Sequence, residues 1–244
     1  MLKLNRLYNA DCLEGMKRID DCCVDLVIAD LPYGTTRNSW DKRIDLESFW
    51  AQIKRVIKEN AAIIMFADMK FAVELINSNP KMFRYDLVWD KAIPTGFLNA
   101  NRMPLRSHEL MLVFYSKLPV YNPEMAKGRH RLKGGTGRQS DNYGKYNDSS
   151  NYSDLYYPKS IVQISNAIRA GGIHPTQKPV VLYEYLIKMY SNENDLVLDP
   201  VSGSGTIGIA TINTKRKFIG FELDKEYYEA SKERIKQHRR SLNE

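Results

Sequence analysis

The chain has 244 residues and a formal net charge of +7, which is enough for one α/β domain with a full hydrophobic core. It contains neither an apolar stretch of 18 residues nor a signal-peptide pattern, so we expect no membrane span and a cytoplasmic location. Its three cysteines and four histidines lack metal-ligand spacing. We therefore expect neither a metal site nor a disulfide framework.

Short apolar runs alternate with amphipathic segments along the chain. The runs predict seven strands, at residues 4–8, 24–29, 61–66, 85–89, 110–115, 196–198 and 218–221. The amphipathic segments predict helices at residues 45–58, 179–190, 206–214 and 224–240. Asp45 is a plausible N-cap of the first helix, and Pro179 suits the first turn of the second. This alternation predicts a doubly wound, mostly parallel sheet.

Residues 117–172 interrupt the pattern with a polar stretch that is rich in Gly, Asn, Ser and Tyr. Residues 116–173 hold nine Lys and Arg against four Asp and Glu, which is +5 of the +7 net charge. A structureless segment of this length inside a compact domain usually has a task. Two interpretations stay open on charge alone, a solvated insertion and a nucleic-acid-binding segment.

A glycine-rich turn follows the strand at residues 196–198. The sequence Gly203-Ser204-Gly205-Thr206 opens a helix whose free N–H groups suit a ligand, and Glu222 ends the next strand, where it can accept hydrogen bonds from a ribose. The same spacing fits a dinucleotide site, or a tight turn without ligand. Asp199, before the glycines, would repel a pyrophosphate but suits the ammonium and sulfonium of S-adenosylmethionine.

The sequence Asp30-Leu31-Pro32-Tyr33 follows the strand at residues 24–29. An exocyclic amine on a base is a poor nucleophile unless acceptors take its two hydrogens, and the Asp30 carboxylate and the Pro32 carbonyl can do so. Tyr33 offers a flat face on which the base can stack. Such a pocket requires the base to leave the duplex. Read alone, the motif is better explained by a turn residue and a buried tyrosine than by a catalytic site.

Together, the two motifs resemble those of the β-group DNA amino-methyltransferases, in which the catalytic motif precedes the cofactor motif. The similarity runs from Leu7 to Arg234 and includes the segment His174-Pro175-Thr176-Gln177-Lys178-Pro179 and the turn Asn9-Ala10-Asp11-Cys12-Leu13-Glu14. Leu31 departs from the family's usual proline, and Val201 from its usual aromatic residue; neither departure removes a catalytic group.

The resemblance implies roles for particular residues. Asp30, Pro32 and Tyr33 would be catalytic. The cofactor would be held by Asp11, Cys12, Thr176, Lys178, Asp199, Ser202, Gly203, Ser204, Gly205, Thr206, Glu222 and Leu223. We predict DNA contacts from Arg37, Lys127, Arg129, Arg131, Lys133 and Arg138. The loop that carries Arg37 is as well explained as an ordinary surface loop, and for Trp89, Lys91, His108 and Glu109 we favour packing and hydrogen bonding over catalysis.

The resemblance also implies a seven-stranded Rossmann-like sheet in the order 4–8, 218–221, 196–198, 24–29, 61–66, 110–115, 85–89, with residues 110–115 antiparallel. The whole chain, 1–244, would be one catalytic domain with residues 117–172 as an inserted target-recognition region. The cofactor strand and the catalytic strand would then be neighbours whose carboxyl ends open on one crevice.

We therefore predict a site-specific DNA methyltransferase that moves a methyl group from S-adenosylmethionine to the exocyclic amine of adenine in double-stranded DNA, in a prokaryotic cell or phage-infected host. Three alternatives stay open: methylation of the amino group of cytosine, a non-catalytic DNA-binding partner, and a dinucleotide-dependent oxidoreductase. The recognition sequence, a restriction-modification role and a homodimer are undecided.

Overall fold

The computed structural model describes residues 2–34, 43–131, 153–167 and 177–242. The chain forms two compact units, one of Met1–Asn122 with Ser160–Glu244 and one of Pro123–Lys159. The second unit contains a two-stranded antiparallel sheet. The predicted insertion, residues 117–172, is longer than this separate unit, because residues 117–122 and 160–172 belong to the larger unit.

The secondary structure follows the predicted alternation. The strands are β1 (Arg6–Asn9), β2 (Val24–Ala29), β3 (Ile57–Ala67), β4 (Phe83–Thr95), β5 (Arg106–Phe114), β6 (Ala126–Arg131), β7 (Ser153–Tyr156), β8 (Ile161–Gln163), β9 (Leu196–Asp199) and β10 (Lys217–Glu222). The helices are α1 (Cys12–Met16), α2 (Leu46–Val56), α3 (Met69–Ser78), α4 (Val180–Tyr190), α5 (Thr206–Asn213) and α6 (Lys225–Ser241), with a 3-10 turn at Phe97–Asn99.

The main sheet has the order β1-β10-β9-β2-β3-β5-β4-β8. Its pairs are parallel except for those of β5, which runs antiparallel to β3 and β4. The predicted fold class and strand order are confirmed, but the predicted count of seven strands is wrong. The eighth strand, β8, has three residues in a polar stretch, too few for a periodic signal. It is held by parallel pairing of Val88 with Ile161 and by the Trp89 indole, which donates to the Ile164 carbonyl at 2.8 Å.

The central strands are apolar on both faces, as a parallel sheet covered by helices requires. In β2, Val27 and Ala29 face one core while Leu26 and Ile28 face the other. The first core includes apolar residues of α2 and α3, and the second those of α4 and α5. This double burial fixes the register of β2 and so fixes where Asp30 emerges.

Side-chain caps set the start of several helices. The carboxylate of Asp45 accepts from the Ser48 backbone N–H at 2.9 Å, so the predicted cap of α2 is confirmed. Asp11, Asp68 and Asp224 cap α1, α3 and α6 in the same way. Among the residues described, no helix has the length and apolar character needed to cross a bilayer.

Candidate active site

Four polar residues end adjacent parallel strands at one edge of the sheet. Asn9 ends β1 and pairs with Glu222 of β10, while Asp199 ends β9 and lies opposite Gly220. Asp30 directly follows β2, which pairs with β9 through Val27 and Leu198. These side chains share one edge because the strands run parallel, and in an open α/β sheet this edge is where ligands bind.

The glycine turn after β9 has a backbone that other residues rarely adopt. Gly203 and Gly205 have φ angles of +48° and +69°, in the left-handed region that glycine occupies without strain. The turn is also fixed from outside, because the Ser231 hydroxyl donates to the Gly203 carbonyl and Arg234 Nη1 donates to the Ser204 carbonyl at 2.8 Å. Contacts within the chain therefore hold the turn in this conformation.

Glu222 joins this turn to the end of β10. Its Oε2 accepts from the Gly203 N–H at 2.8 Å, and its Oε1 accepts from the Asp224 N–H at 2.9 Å. Burial raises the pKa of Glu222, and the two N–H donors oppose that rise. The carboxylate thus stands beside the glycine turn with its orientation set by backbone groups, which leaves further lone pairs for ribose hydroxyls.

Asp199 is a deeply buried carboxyl group with a relative exposure of 1%. Its Oδ1 accepts from the Val201 N–H at 3.1 Å, and no ion pair joins it to a Lys, Arg or His in the described part of the chain. Burial raises the pKa of Asp199 well above its ordinary value, and the charges of Asp30 and Glu222 add to this. A buried carboxylate in this state favours a cationic partner. The site therefore fits the positively charged S-adenosylmethionine.

Asp30 has a partner on each carboxylate oxygen. Its Oδ1 accepts from the Tyr33 hydroxyl at 3.1 Å, and its Oδ2 lies 2.6 Å from the Lys178 ammonium. The Tyr33 ring packs on Phe71 with a centroid distance of 5.0 Å. Burial raises the pKa of Tyr33 well above its usual value, with Asp30 and Glu109 adding to the shift. Tyr33 is therefore a neutral donor that orients the carboxylate.

Lys178 is brought to Asp30 rather than towards the glycine turn. Its ammonium also lies 3.2 Å from Glu109 Oε2, and Glu109 Oε1 accepts from Lys91 at 2.9 Å. Burial alone would lower the pKa of Lys178, but the carboxylates of Asp30 and Glu109 outweigh it and raise that pKa. The sequence prediction gave Glu109 and Lys91 ordinary packing roles. The one sequence signal for a further role is that Lys91 and Glu109 are charged residues at strand positions beside apolar ones.

The other predicted cofactor residues lie around the same strand ends. Asp11 Oδ1 caps α1 by accepting from the N–H groups of Leu13 and Glu14, at 2.9 and 3.2 Å. Cys12 is buried, and burial raises the pKa of its thiol to about 12. Asn9 Nδ2 donates at 2.9 Å to the carbonyls of Glu222 and Leu223. Ser204 and Thr206 share a hydroxyl contact of 3.1 Å. Thr176 is outside the described residues.

The predicted DNA-contacting residues are only partly described. Lys127 and Arg129 lie on β6, which pairs with β7 within the Pro123–Lys159 unit. The Lys127 side chain is 81% exposed and lies 3.7 Å from Asp154, while the Arg129 carbonyl accepts from the Tyr156 hydroxyl at 2.6 Å. Lys127 is thus held only weakly. Arg37, Lys133, Arg138 and the side chain of Arg131 lie outside what the structure describes.

The sequence of this chain matches the family of DNA methylases over residues 24–233. The chain belongs to the DNA methylase family. It is 30% identical to the type II methyltransferase M.HpaI of Haemophilus parainfluenzae, over 94% of this chain and 74% of that protein. It is 26% identical to the DNA adenine methyltransferase YhdJ of Escherichia coli, over 94% of this chain and 82% of that protein.

A solved structure of M1.HpyAVI in complex with SAM is similar throughout, with a TM-score of 0.67 and 26% identity over 94% of this chain and 98% of that one. Membership of the family confirms the prediction of an S-adenosylmethionine-dependent DNA methyltransferase with DNA as its partner. The alternatives of a dinucleotide-dependent oxidoreductase and a non-catalytic partner are not supported.

Proposed function

We propose that this DNA methylase transfers a methyl group from S-adenosylmethionine to the exocyclic amine of adenine in double-stranded DNA, and that S-adenosylhomocysteine and one proton of the amine are released. The observation that carries the proposal is the placement of Asp30 and Asp199 at the ends of the neighbouring strands β2 and β9. One carboxylate suits the amine of a base, and the other suits a cation. Both open on the same edge of the sheet, where the two reactants would meet.

Several side chains would hold the cofactor. Asp199 would face its positive groups, Glu222 would accept from its ribose hydroxyls, and Gly203 and Gly205 would allow the turn to approach it closely. Asp11 and Cys12 would contribute from the end of β1. When bound, S-adenosylmethionine supplies an electrophilic methyl group. The chain's own residues supply the orientation of both partners and exclude water from the crevice.

Asp30 and Pro32 would act on the target amine. The Asp30 carboxylate accepts one N–H and the Pro32 carbonyl accepts the other, so the nitrogen lone pair is less conjugated with the ring and more nucleophilic. Tyr33 would stack on the base while its hydroxyl, 3.1 Å from Asp30 Oδ1, keeps that carboxylate oriented. Since these groups lie in a crevice, the base must flip out of the duplex.

Adenine is favoured over cytosine as the target. Asp30 stands at the position where the resembled family most often carries aspartate in its adenine-specific members, and a 26% identical relative is named a DNA adenine methyltransferase. The basic segment within 117–172 would position the duplex and read the target, in keeping with the exposed Lys127.

We also propose a cytoplasmic location, because that is where the DNA of the bacterial relatives lies. A homodimer stays a prediction, which light scattering tests.

The decisive experiment incubates the protein with mixed-sequence duplex DNA and S-adenosylmethionine, digests the DNA to nucleosides and identifies the methylated one by mass spectrometry. We expect N6-methyladenosine in its deoxy form. Detection of methylated cytosine alone would show that the target is the amino group of cytosine and not that of adenine. Cofactor binding without any methylated nucleoside, on DNA of many sequences, would contradict the proposed reaction.

A further inference from the structure

Two carboxylates share one buried ammonium in the active-site crevice. The Lys178 ammonium lies 2.6 Å from Asp30 Oδ2 and 3.2 Å from Glu109 Oε2, and its side chain is 8% exposed. Lys178 lies two residues before α4, Asp30 follows β2 and Glu109 lies on β5, so three separate parts of the chain converge here. An ammonium buried to this degree is stable only while carboxylates neutralise it.

The two oxygens of Glu109 are not equivalent. Oε1 accepts a hydrogen bond from Lys91 at 2.9 Å, and Lys91 is itself 5% exposed. Oε2 is buried and lies 3.2 Å from the Lys178 ammonium. The two oxygens thus contact different lysines, and Lys91 fixes the carboxylate so that Oε2 faces Lys178.

The contact between Lys178 and Asp30 conflicts with the reaction in which Asp30 is proposed to act. An incoming amine needs the same carboxylate, and its nitrogen becomes positively charged as the methyl group is transferred. Two positive charges on one carboxylate oxygen, within a few ångströms of each other in a buried site, repel strongly. Release of Asp30 Oδ2 by Lys178 while the amine binds would relieve this repulsion, and the released ammonium needs another acceptor.

We propose that Glu109 is a positioning residue for methyl transfer: its Oε2 receives the Lys178 ammonium when the target amine takes over Asp30. This inference rests on the proposed function. The exchange requires only that the Lys178 ammonium move closer to Glu109 and farther from Asp30. No charged group becomes more exposed to solvent. In the free protein Lys178 keeps Asp30 neutralised, and in the complex Glu109 keeps Lys178 neutralised.

The first test is Glu109→Gln, which keeps the shape and the possible acceptor but removes the negative charge. We expect the single-turnover methylation rate to fall at least about tenfold, because an ammonium is held less well by a neutral amide than by a carboxylate. The dissociation constant for S-adenosylmethionine and the KM for DNA should change by less than about twofold, since Glu109 contacts neither in the proposal. Glu109→Asp should recover part of the rate.

A double-mutant cycle separates action through Lys178 from a direct or general structural role. In a Lys178→Met background, Glu109→Gln should cause no further loss of rate, because its only partner in the mechanism is gone. Glu59→Gln is the matched control, since Glu59 pairs with Lys117 on the surface and each side chain is 66% exposed. This control should leave the rate unchanged.

The outcomes are distinct. If wild-type protein methylates DNA and Glu109→Gln is as fast as wild type, or its effect adds fully to that of Lys178→Met, Glu109 is not a positioning residue. If wild-type protein methylates no DNA, the proposed function fails instead. If Glu109→Gln lowers the melting temperature so far that the protein unfolds, the comparison is made between Lys91→Met and the double variant Lys91→Met/Glu109→Gln, which leaves one fewer unpaired ammonium buried. Equal methylation rates in those two variants would also overturn the inference.

Discussion

Lys178 and Thr206 are joined by a hydrogen bond of 3.2 Å from the Thr206 hydroxyl to the Lys178 carbonyl oxygen. Thr206 is the first residue of α5 and ends the glycine turn, while the side chain of Lys178 lies on Asp30. One residue therefore touches both halves of the crevice, with its backbone on the cofactor side and its ammonium on the amine side.

Asp30→Ala should reduce methylation at least about 100-fold, the usual scale for a residue that handles a proton of the reacting group. S-adenosylmethionine binding should change little, because Asp30 contacts Tyr33 and Lys178 rather than the glycine turn. Methylation rates and isothermal titration calorimetry measure the two effects. Asp30→Asn serves as the control for folding, as it retains the shape beside the buried ammonium. Turnover within tenfold of wild type in both variants would remove Asp30 from the mechanism.

Glu222→Ala should weaken S-adenosylmethionine binding by roughly 1–3 kcal/mol, the scale for losing hydrogen bonds to a charged acceptor. The variant also releases the N–H groups of Gly203 and Asp224, so part of the effect comes from a less ordered turn. Glu222→Gln keeps one acceptor and separates the two contributions. Calorimetry is the measurement, and an unchanged affinity in the alanine variant would exclude Glu222 from the cofactor site.

Local patterns predicted the strands of the main fold and the strand-end carboxylates, whereas the strand order was predicted from the resemblance to the amino-methyltransferases. Asp45 is a cap that precedes an amphipathic stripe, and Asp30 and Asp199 each end an apolar run. The sequence did not predict β8, since three residues carry no period, nor the direction of the Lys178 side chain. That direction depends on Asp30 and Glu109, which are distant from Lys178 in sequence, so no local pattern predicts which carboxylates the ammonium meets.

Asp199→Asn should stabilise the free protein at neutral pH while it abolishes cofactor binding. Burial raises the pKa of Asp199 well above its ordinary value. A raised carboxyl pKa means that the folded state binds a proton more tightly than the unfolded state, so the carboxylate destabilises the fold above the unfolded pKa of about 3.9. Asparagine removes this cost and can still accept from the Val201 N–H.

The expected rise in melting temperature at pH 7.5 is at least about 2 °C, the shift that 1 kcal/mol produces in a domain of this size. The difference from wild type should shrink as the pH falls through the unfolded pKa of about 3.9, below which Asp199 is protonated in both states. S-adenosylmethionine should raise the melting temperature of wild type only. A variant that melts below wild type at neutral pH and above it in acid would reverse the sign and contradict the argument.

The basic segment gives the last prediction. Replacing Lys127, Arg129 and Arg131 by glutamine should weaken DNA binding and flatten its salt dependence. The slope of log K against log salt should fall by up to about 2.7, or about 0.9 for each phosphate that is no longer neutralised. Cofactor affinity should stay the same. Fluorescence anisotropy of a labelled duplex at several salt concentrations measures the slope.

The matched control replaces Lys232, Lys236 and Arg240 on α6 by glutamine, since these residues are exposed and their replacement changes the net charge by the same amount. If the segment binds phosphates, only the first triple variant shows a flatter slope. A general attraction between a basic protein and DNA depends on net charge and would change both variants equally. Equal effects in the two variants would show an unspecific charge effect. Unaltered affinity and slope in the first variant would instead assign DNA recognition to the loops that follow Asp30 and Trp89.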